Sequence, residues 1–222
     1  MNDKKVAFIL CVNDEVYFEE CLKYIENLYV PKDFEIEVIA MRNEKSITSA
    51  YNKAIEKTDA KYKVYLHQDV LFINKNFITD FINIFEENKM IGMLGVAGCK
   101  TLPQNGIWWE ANDCTGSLYD THAGKITMYL LNKNNIDEVE YVKAIDGVVM
   151  ITQFDVKWRE DIFDGWHFYD ISQSFEMLKI GYDLAVINYS VPWCIHDCGI
   201  SNLDASYEKY RKLFLKQYSA CI

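Results

Sequence analysis

Apolar and polar positions change rhythm along this chain in a way that predicts alternating strands and helices. Lys5–Val12 (KVAFILCV) is a continuous apolar run, the pattern of a central parallel strand covered on both faces. Asn13 and Asp14 then offer a helix cap, and Phe18, Cys21, Leu22, Ile25 and Leu28 follow at helical spacing. Pro31 closes that helix, and Glu35–Met41 reads as a second strand. Arg42–Lys45 is a polar loop and Ser46 a second cap. Ile47, Ala50, Tyr51, Ala54 and Ile55 form the next apolar stripe. Tyr62–Leu66 predicts a third strand, and Ile78, Phe81, Ile82 and Phe85 one face of a third helix. Met90–Val96 predicts a fourth strand. This β-α-β-α-β-α-β order implies an α/β fold with a mostly parallel, right-handed sheet flanked by helices.

The rhythm weakens after Cys99. Residues 100–125 carry Trp108, Trp109, His122 and several glycines without a period. Ile126–Leu131 and Val139–Val142 look like a hairpin around residues 132–135. Ala144–Ile151 reads as one strand interrupted at Asp146-Gly147. A loop rich in Asp, Trp and His (163–170) precedes a helix expected from Ile171 to Ile180, which Gly181 stops. Leu184–Ile187 is a last short strand, residues 191–201 are irregular, and an amphipathic helix is expected over Leu203–Tyr218. With no linker in sight, a single domain over 1–222 is expected, one half at 1–99 and the other at 100–222. One antiparallel strand is expected in the second half.

Composition narrows the function classes. The chain has 222 residues, a formal charge of −10, 15 Tyr, 12 Phe and 5 Trp. That charge argues against nonspecific binding to nucleic acid or an anionic membrane. No signal peptide or transmembrane run is apparent. Seven scattered cysteines point to a reducing cytoplasm without a disulfide framework.

The candidate chemistry lies in polar clusters at strand ends. The third strand breaks into His67-Gln68-Asp69. In open α/β sheets the carboxyl ends of strands face the ligand crevice, where a carboxylate can hold a cation. Asp69 is then a metal ligand or an ordinary solvated turn residue. Asp69 with His196 would suit Mn²⁺ or Mg²⁺, leaving positions open for phosphate oxygens; otherwise His196 is a hydrogen-bonded loop histidine. Cys194-x-His196-x-Cys198 lacks the spacing of common zinc sites, and a Cys/His nucleophile pair two residues apart is splayed. Asp170 is either a helix cap or a general base, with Asp164 the next candidate. Trp108, Trp109 and Trp193 belong to the core or stack on a sugar face. Neither GxGxxG nor GxxxxGK[ST] occurs, against a dinucleotide dehydrogenase or a P-loop kinase.

Taken in order, these segments resemble the GT-A glycosyltransferases, closest to the family-2-like bacterial enzymes. The first strand with Asn13-Asp14 looks like their opening nucleotide-binding element. Ser46–Thr58 resembles their segment with an Asn in "ARN", here Tyr51-Asn52. LHQDVLF stands in the place of their DxD metal motif, with His67 where the first acid would be. Asp146–Ile151 and FDGWHFYDISQSFEML look like the acceptor-side strand and catalytic-base helix, with Tyr169 in place of a second acid. The likeness spans residues 5–200.

The resemblance implies transfer of a sugar, a hexosyl group, from a nucleotide diphosphate sugar to an acceptor hydroxyl with inversion. A UDP-sugar is the expected donor, a carbohydrate or glycoconjugate the acceptor, and polysaccharide biosynthesis the setting. Asp170 would be the base. Asn13, Arg42, Asn43, Asn52, His67, Gln68 and Asp69 would hold the donor, and Asp69 and His196 would hold Mn²⁺ or Mg²⁺. The alternatives are an inactive nucleotide-sugar-binding module, favoured by His67, and a nucleotidyltransferase, disfavoured by the acidic Asn13-Asp14-Glu15 turn.

Overall fold

The computed structural model describes residues 1–131, 138–200 and 205–222. The first stretch builds β1 (Asn2–Val12), α1 (Glu15–Glu26), β2 (Glu35–Arg42), α2 (Ile47–Lys57), β3 (Ala60–Leu66), β4 (Val70–Phe72), α3 (Phe77–Glu87) and β5 (Ile91–Gly95). The remainder adds β6 (Ala97–Cys99), β7 (Cys114–Asp120), β8 (Thr127–Leu130), β9 (Val139–Tyr141), β10 (Ala144–Ile145), β11 (Val149–Thr152), α4 (Tyr169–Lys179), β12 (Asp183–Ile187), β13 (Cys194–His196) and α5 (Ala205–Tyr218).

The expected caps form. Asp14 accepts hydrogen bonds from the N–H groups of Val16 and Tyr17, and Ser46 from that of Ser49, which occupies donors left open at the starts of α1 and α2. The stripes bury as their spacing requires: Phe18, Cys21 and Ile25 on α1; Ile47, Ala50, Tyr51 and Ala54 on α2; Phe77, Ile78, Phe81, Ile82, Ile84 and Phe85 on α3. Each large apolar side chain so buried is worth about 1.5–3 kcal/mol, so packing on the sheet rather than helix propensity holds these helices.

The main sheet runs β2-β1-β3-β11-β5-β12-β9. β2, β1 and β3 are parallel neighbours, as are β5 and β12. The single antiparallel strand expected in the second half becomes two in this sheet: β11, inserted between β3 and β5, and β9, on the edge beside β12. A second sheet runs β10-β6-β7-β13-β4, with β8 on β7.

Three sequence expectations change. The hairpin does not form: β8 pairs with β7 and β9 with β12, in different sheets. Alternation alone cannot choose a partner for two short strands; β8 takes the length of β7 that β6 leaves unpaired, and β9 takes the open side of β12. The turn expected at 132–135 lies outside the described residues. The strand expected from Ala144 to Ile151 is split into β10 and β11 at Asp146-Gly147, where the chain passes from the second sheet into the main one. Gly147 is required at that corner, because a Cβ there would come within 2.2 Å of the Tyr169 hydroxyl. Helix α4 starts at Tyr169, two residues early, and α5 is described from Ala205.

His67-Gln68-Asp69 marks the matching crossing in the other direction, from β3 to β4. The backbone N–H of His67 donates to Val148 O at 3.3 Å, which ties the two crossings together. Both polar interruptions therefore open one crevice where the sheets part. All seven cysteines are free. Among the described residues no helix is long and apolar enough to cross a membrane.

Candidate active site

A cavity of about 720 Å³ occupies this crevice. His67, Asp120, Asp146, Gly147, Asp170 and His196 form its polar wall, and Trp108, Trp109, Trp166, Phe168, Tyr169 and Tyr207 line it with rings.

Asp170 reaches the cavity from the first turn of α4. It is not the cap: Phe168 holds that place, in the left-handed region at φ 61°. Asp170 Oδ2 instead accepts from the N–H of Gly147 at 3.0 Å, so its carboxylate spans the gap to the sheet crossing. Burial, and then the Asp146 carboxylate, push its pKa up to about 7, against the backbone N–H groups of Ile171, Asp170 and Gly147 that hydrogen-bond to it. A carboxylate poised there can both take and release a proton near neutrality.

His67, Asp69 and His196 converge, with a ligand atom from each lying within 4.8 Å of the others. His67 Nδ1 is 3.2 Å from His196 Nε2, and Asp69 Oδ1 is 3.5 Å from the same nitrogen. β13 carries His196 in register with Val70, one residue past Asp69, so strand pairing brings together residues more than a hundred positions apart. Asp69 Oδ1 is a buried oxygen without a hydrogen-bond partner. An orphaned carboxylate oxygen facing two imidazole nitrogens fits a divalent cation.

The outer nitrogens are also engaged. His196 Nδ1 is 2.9 Å from Asp120 Oδ2, and His67 Nε2 is 2.7 Å from the Tyr169 hydroxyl. Burial lowers His67, with His196 adding to the effect. In His196 burial acts the same way, but the Asp120 hydrogen bond, helped by Cys198 and Asp69, outweighs it and lifts the ring to about 10. Partial burial opposes ionisation of Asp120, yet hydrogen bonds from His196 and His122 hold it near about 2.

The other expected donor-binding residues sit apart from the cavity wall. Gln68 Oε1 accepts from the N–H groups of Asn13 and Asp14 at 2.9 and 3.1 Å, and its amide nitrogen bonds the Asn13 side chain, lacing the carboxyl ends of β1 and β3. Arg42, at the end of β2, forms a two-bond pair with Glu15 at 2.7 and 2.8 Å and lies over the Phe18 ring. Asn43 is exposed in a left-handed turn at φ 56°.

Asn52, the donor contact its motif implied, is not part of the cavity lining. It is 7% exposed, and its amide donates to Trp158 O at 3.0 Å and accepts from Trp158 N at 2.9 Å. This clamps α2 to the segment at 158. Asn52→Ala is expected to strand one buried N–H and one buried carbonyl at a cost of roughly 1–3 kcal/mol each, read as a lower urea midpoint. Unchanged stability with weakened nucleotide binding would return Asn52 to the ligand. Trp193 is core, 2% exposed against Phe77 and Tyr189, whereas Trp108 and Trp109 line the cavity. Asp164 is engaged by Tyr210 and Lys209.

Asp120, Asp146 and Tyr169 are the site residues that sequence reasoning did not select. The interrupted strand marked Asp146. The D-x-H spacing of Asp120 and His122 was a faint sign of Asp120.

A family model described as "Glycosyltransferase like family" matches residues 7–218. The streptomycin biosynthesis protein StrF of Streptomyces griseus is 32% identical over 152 residues, 65% of this chain and 49% of that protein. The chain thus spans about half the length of that curated relative. Among solved structures, GalNAc-T7 with UDP, GalNAc and Mn²⁺ superposes with a TM-score of 0.67 at 10% identity, covering 98% of this chain and 50% of that one. The mannosyltransferase PcManGT of Pyrobaculum calidifontis, in complex with GDP-Man and Mn²⁺, gives 0.55 at 10% identity, covering 98% and 64%. Residues 1–349 of TarS from S. aureus give 0.55 at 10% identity, covering 98% and 72%. With a family model matched over nearly its whole length and a mixed sheet superposing on glycosyltransferases, the chain belongs to the family-2-like glycosyltransferases and has the GT-A fold.

Proposed function

We propose that the protein transfers a hexosyl group from a nucleotide diphosphate sugar, a UDP-sugar in the first instance, to an acceptor hydroxyl with inversion. The observation that carries this reading is a single cavity walled by Asp170, His67 and His196 and lined by aromatic rings. One domain would span 1–222, the donor held by 1–99 and the acceptor by 100–222. The setting would be polysaccharide or glycoconjugate assembly in the cytoplasm.

In this reading Asp170 receives the acceptor hydroxyl proton as the acceptor oxygen forms its bond to the sugar's anomeric carbon. The bond from that carbon to the diphosphate breaks on the opposite face, and the electron pair leaves with the diphosphate. Gly147 N–H and the first turn of α4 hold the carboxylate in place. Trp108 and Trp109 offer faces for the acceptor ring. Asp69, His196 and His67 would hold a divalent cation. When bound, Mn²⁺ or Mg²⁺ supplies positive charge against the departing diphosphate. Gln68 and Asn13 fix the strand ends beside it.

A thermal-shift series with UDP, GDP and their sugars, with and without MnCl₂, tests the reading. A rise in melting temperature for one nucleotide family, enlarged by Mn²⁺, is expected, because a ligand of the native state stabilises it. No rise with any of them would remove the donor from the proposal. Binding without turnover would mark an inactive module.

A further inference from the structure

The cation reading leaves open why two imidazoles should point their ring nitrogens at one another. Histidine has two ring nitrogens, and a neutral ring offers a lone pair on only one. Which one is free depends on the hydrogen bond made by the other.

Each ring has a close oxygen partner on its outer side. His196 Nδ1 faces Asp120 Oδ2 at 2.9 Å, and a carboxylate there can only accept. That leaves Nε2 to look inward, 3.5 Å from Asp69 Oδ1. His67 Nε2 faces the Tyr169 hydroxyl at 2.7 Å, and that hydroxyl is 3.4 Å from Gly147 O, to which it donates. With its proton on Gly147 O the hydroxyl accepts from His67 Nε2–H, and in that tautomer the lone pair of His67 is on Nδ1, which looks inward. The two inward nitrogens lie 3.2 Å apart, with the orphaned Asp69 oxygen beside them. At that distance the two nitrogens share either a single proton, as N–H···N, or, once that proton has left, a single cation.

The outer partners are themselves fixed. Asp120 Oδ1 accepts from the N–H of His122 at 2.7 Å and meets the His122 ring, which stacks on Tyr129. Asp120 ends β7, paired in register with His196 on β13. Tyr169 is 5% exposed and packs edge-on to Tyr51.

We propose that Asp120 and Tyr169 are positioning residues of the cation centre: from opposite sides they set the tautomers of His196 and His67, so that two imidazole nitrogens and Asp69 Oδ1 face one ion. This rests on the cation site of the proposed function and adds the residues that act through the ligands. A set of two nitrogens and one oxygen suits a first-row transition ion, whereas Mg²⁺ keeps its waters and needs chiefly the carboxylate. Loss of an outer partner should therefore weaken Mn²⁺ and leave Mg²⁺ nearly unchanged.

The experiment is isothermal titration of the chelator-treated full chain with MnCl₂ and with MgCl₂, alongside the ¹⁴N couplings of bound Mn²⁺ by pulsed electron paramagnetic resonance. Wild type is expected to bind Mn²⁺ at least ~10-fold tighter than Mg²⁺, with coupling to two imidazoles. Asp120→Ala and Tyr169→Phe are each expected to lose about 10–100-fold in Mn²⁺ affinity, the usual effect of removing an outer partner of a ligand, with Mg²⁺ moved by less than about threefold. Tyr169→Phe removes one oxygen only, so it keeps the test alive if Asp120→Ala does not fold. Cys198→Ala should move Mn²⁺ affinity by less than about threefold; a loss of about 10-fold or more there would put the ion on the far side of His196, among Asp120 and Cys198, and overturn the assignment. Equal Mn²⁺ and Mg²⁺ affinities, or wild-type Mn²⁺ affinity in Tyr169→Phe, would also overturn it, while loss of binding in Asp69→Ala would still uphold the cation site itself. Retained Mn²⁺ binding in Asp69→Ala would sink both.

Discussion

Asp170→Asn is expected to lower turnover by ~100-fold or more while leaving fold and nucleotide binding intact. Asparagine is close to isosteric, and its amide oxygen can still accept from Gly147 N–H, the 3.0 Å contact that seats the side chain. What it cannot do is take a proton from an acceptor. The pH profile separates this role from a merely structural one. Burial first, and Asp146 second, raise Asp170 to about 7, so the ionised base is present above that pH and is lost below it. Wild-type kcat/KM should level off above about pH 7 and fall about tenfold per unit below it; the residual activity of Asp170→Asn should lack that limb. Full transfer activity in the variant would show that the base lies elsewhere. Asp164, already bound by Tyr210 and Lys209, would be the next candidate.

Asp69→Ala is expected to abolish Mn²⁺-dependent nucleotide binding, with affinity down by more than ~100-fold, beyond the 10–100-fold typical of an outer partner. The change deletes the one carboxylate of the His67-Gln68-Asp69 triplet and a buried oxygen without a hydrogen-bond partner. The fold should survive, because the backbone bond from Asp197 N–H to Asp69 O, 2.9 Å, does not depend on the side chain. His196→Ala leaves Asp69 and His67 in place and should weaken binding less. Wild-type nucleotide affinity in both variants, with and without chelator, would remove the cation from the account.

Much of the fold was legible because burial enforces periodicity. A strand covered on both faces must be apolar throughout, as β1 is, and a helix lying on a sheet must show its stripe, as α2 and α3 do. The two polar interruptions, at 67–69 and 146–147, were legible for the same reason: polar groups inside apolar runs need a crevice. Pairing was not legible. β8 and β9 are short alternating segments that fit any edge, and the edges they took belong to different sheets. Asp120 was hidden because β7 is a Gly- and Ser-containing strand in a segment without a period, and its partner His196 lies 76 residues on. Asn52 was read through its motif as a donor contact, since no pattern in one sequence announces a clamp onto the backbone of Trp158. Asp170 is the second residue of its helix, two positions past the cap, a shift within the uncertainty of any helix boundary but decisive for where its carboxylate points.

The central claim, sugar transfer from a nucleotide diphosphate sugar, is tested most directly by the nucleotide diphosphate released when purified protein is incubated with UDP- and GDP-sugars and MnCl₂. Slow release is expected from one donor family without acceptor, as water takes the acceptor's place, and the release should disappear in Asp69→Ala. Binding of these donors with no release from any of them, even with saccharide acceptors supplied, would contradict it.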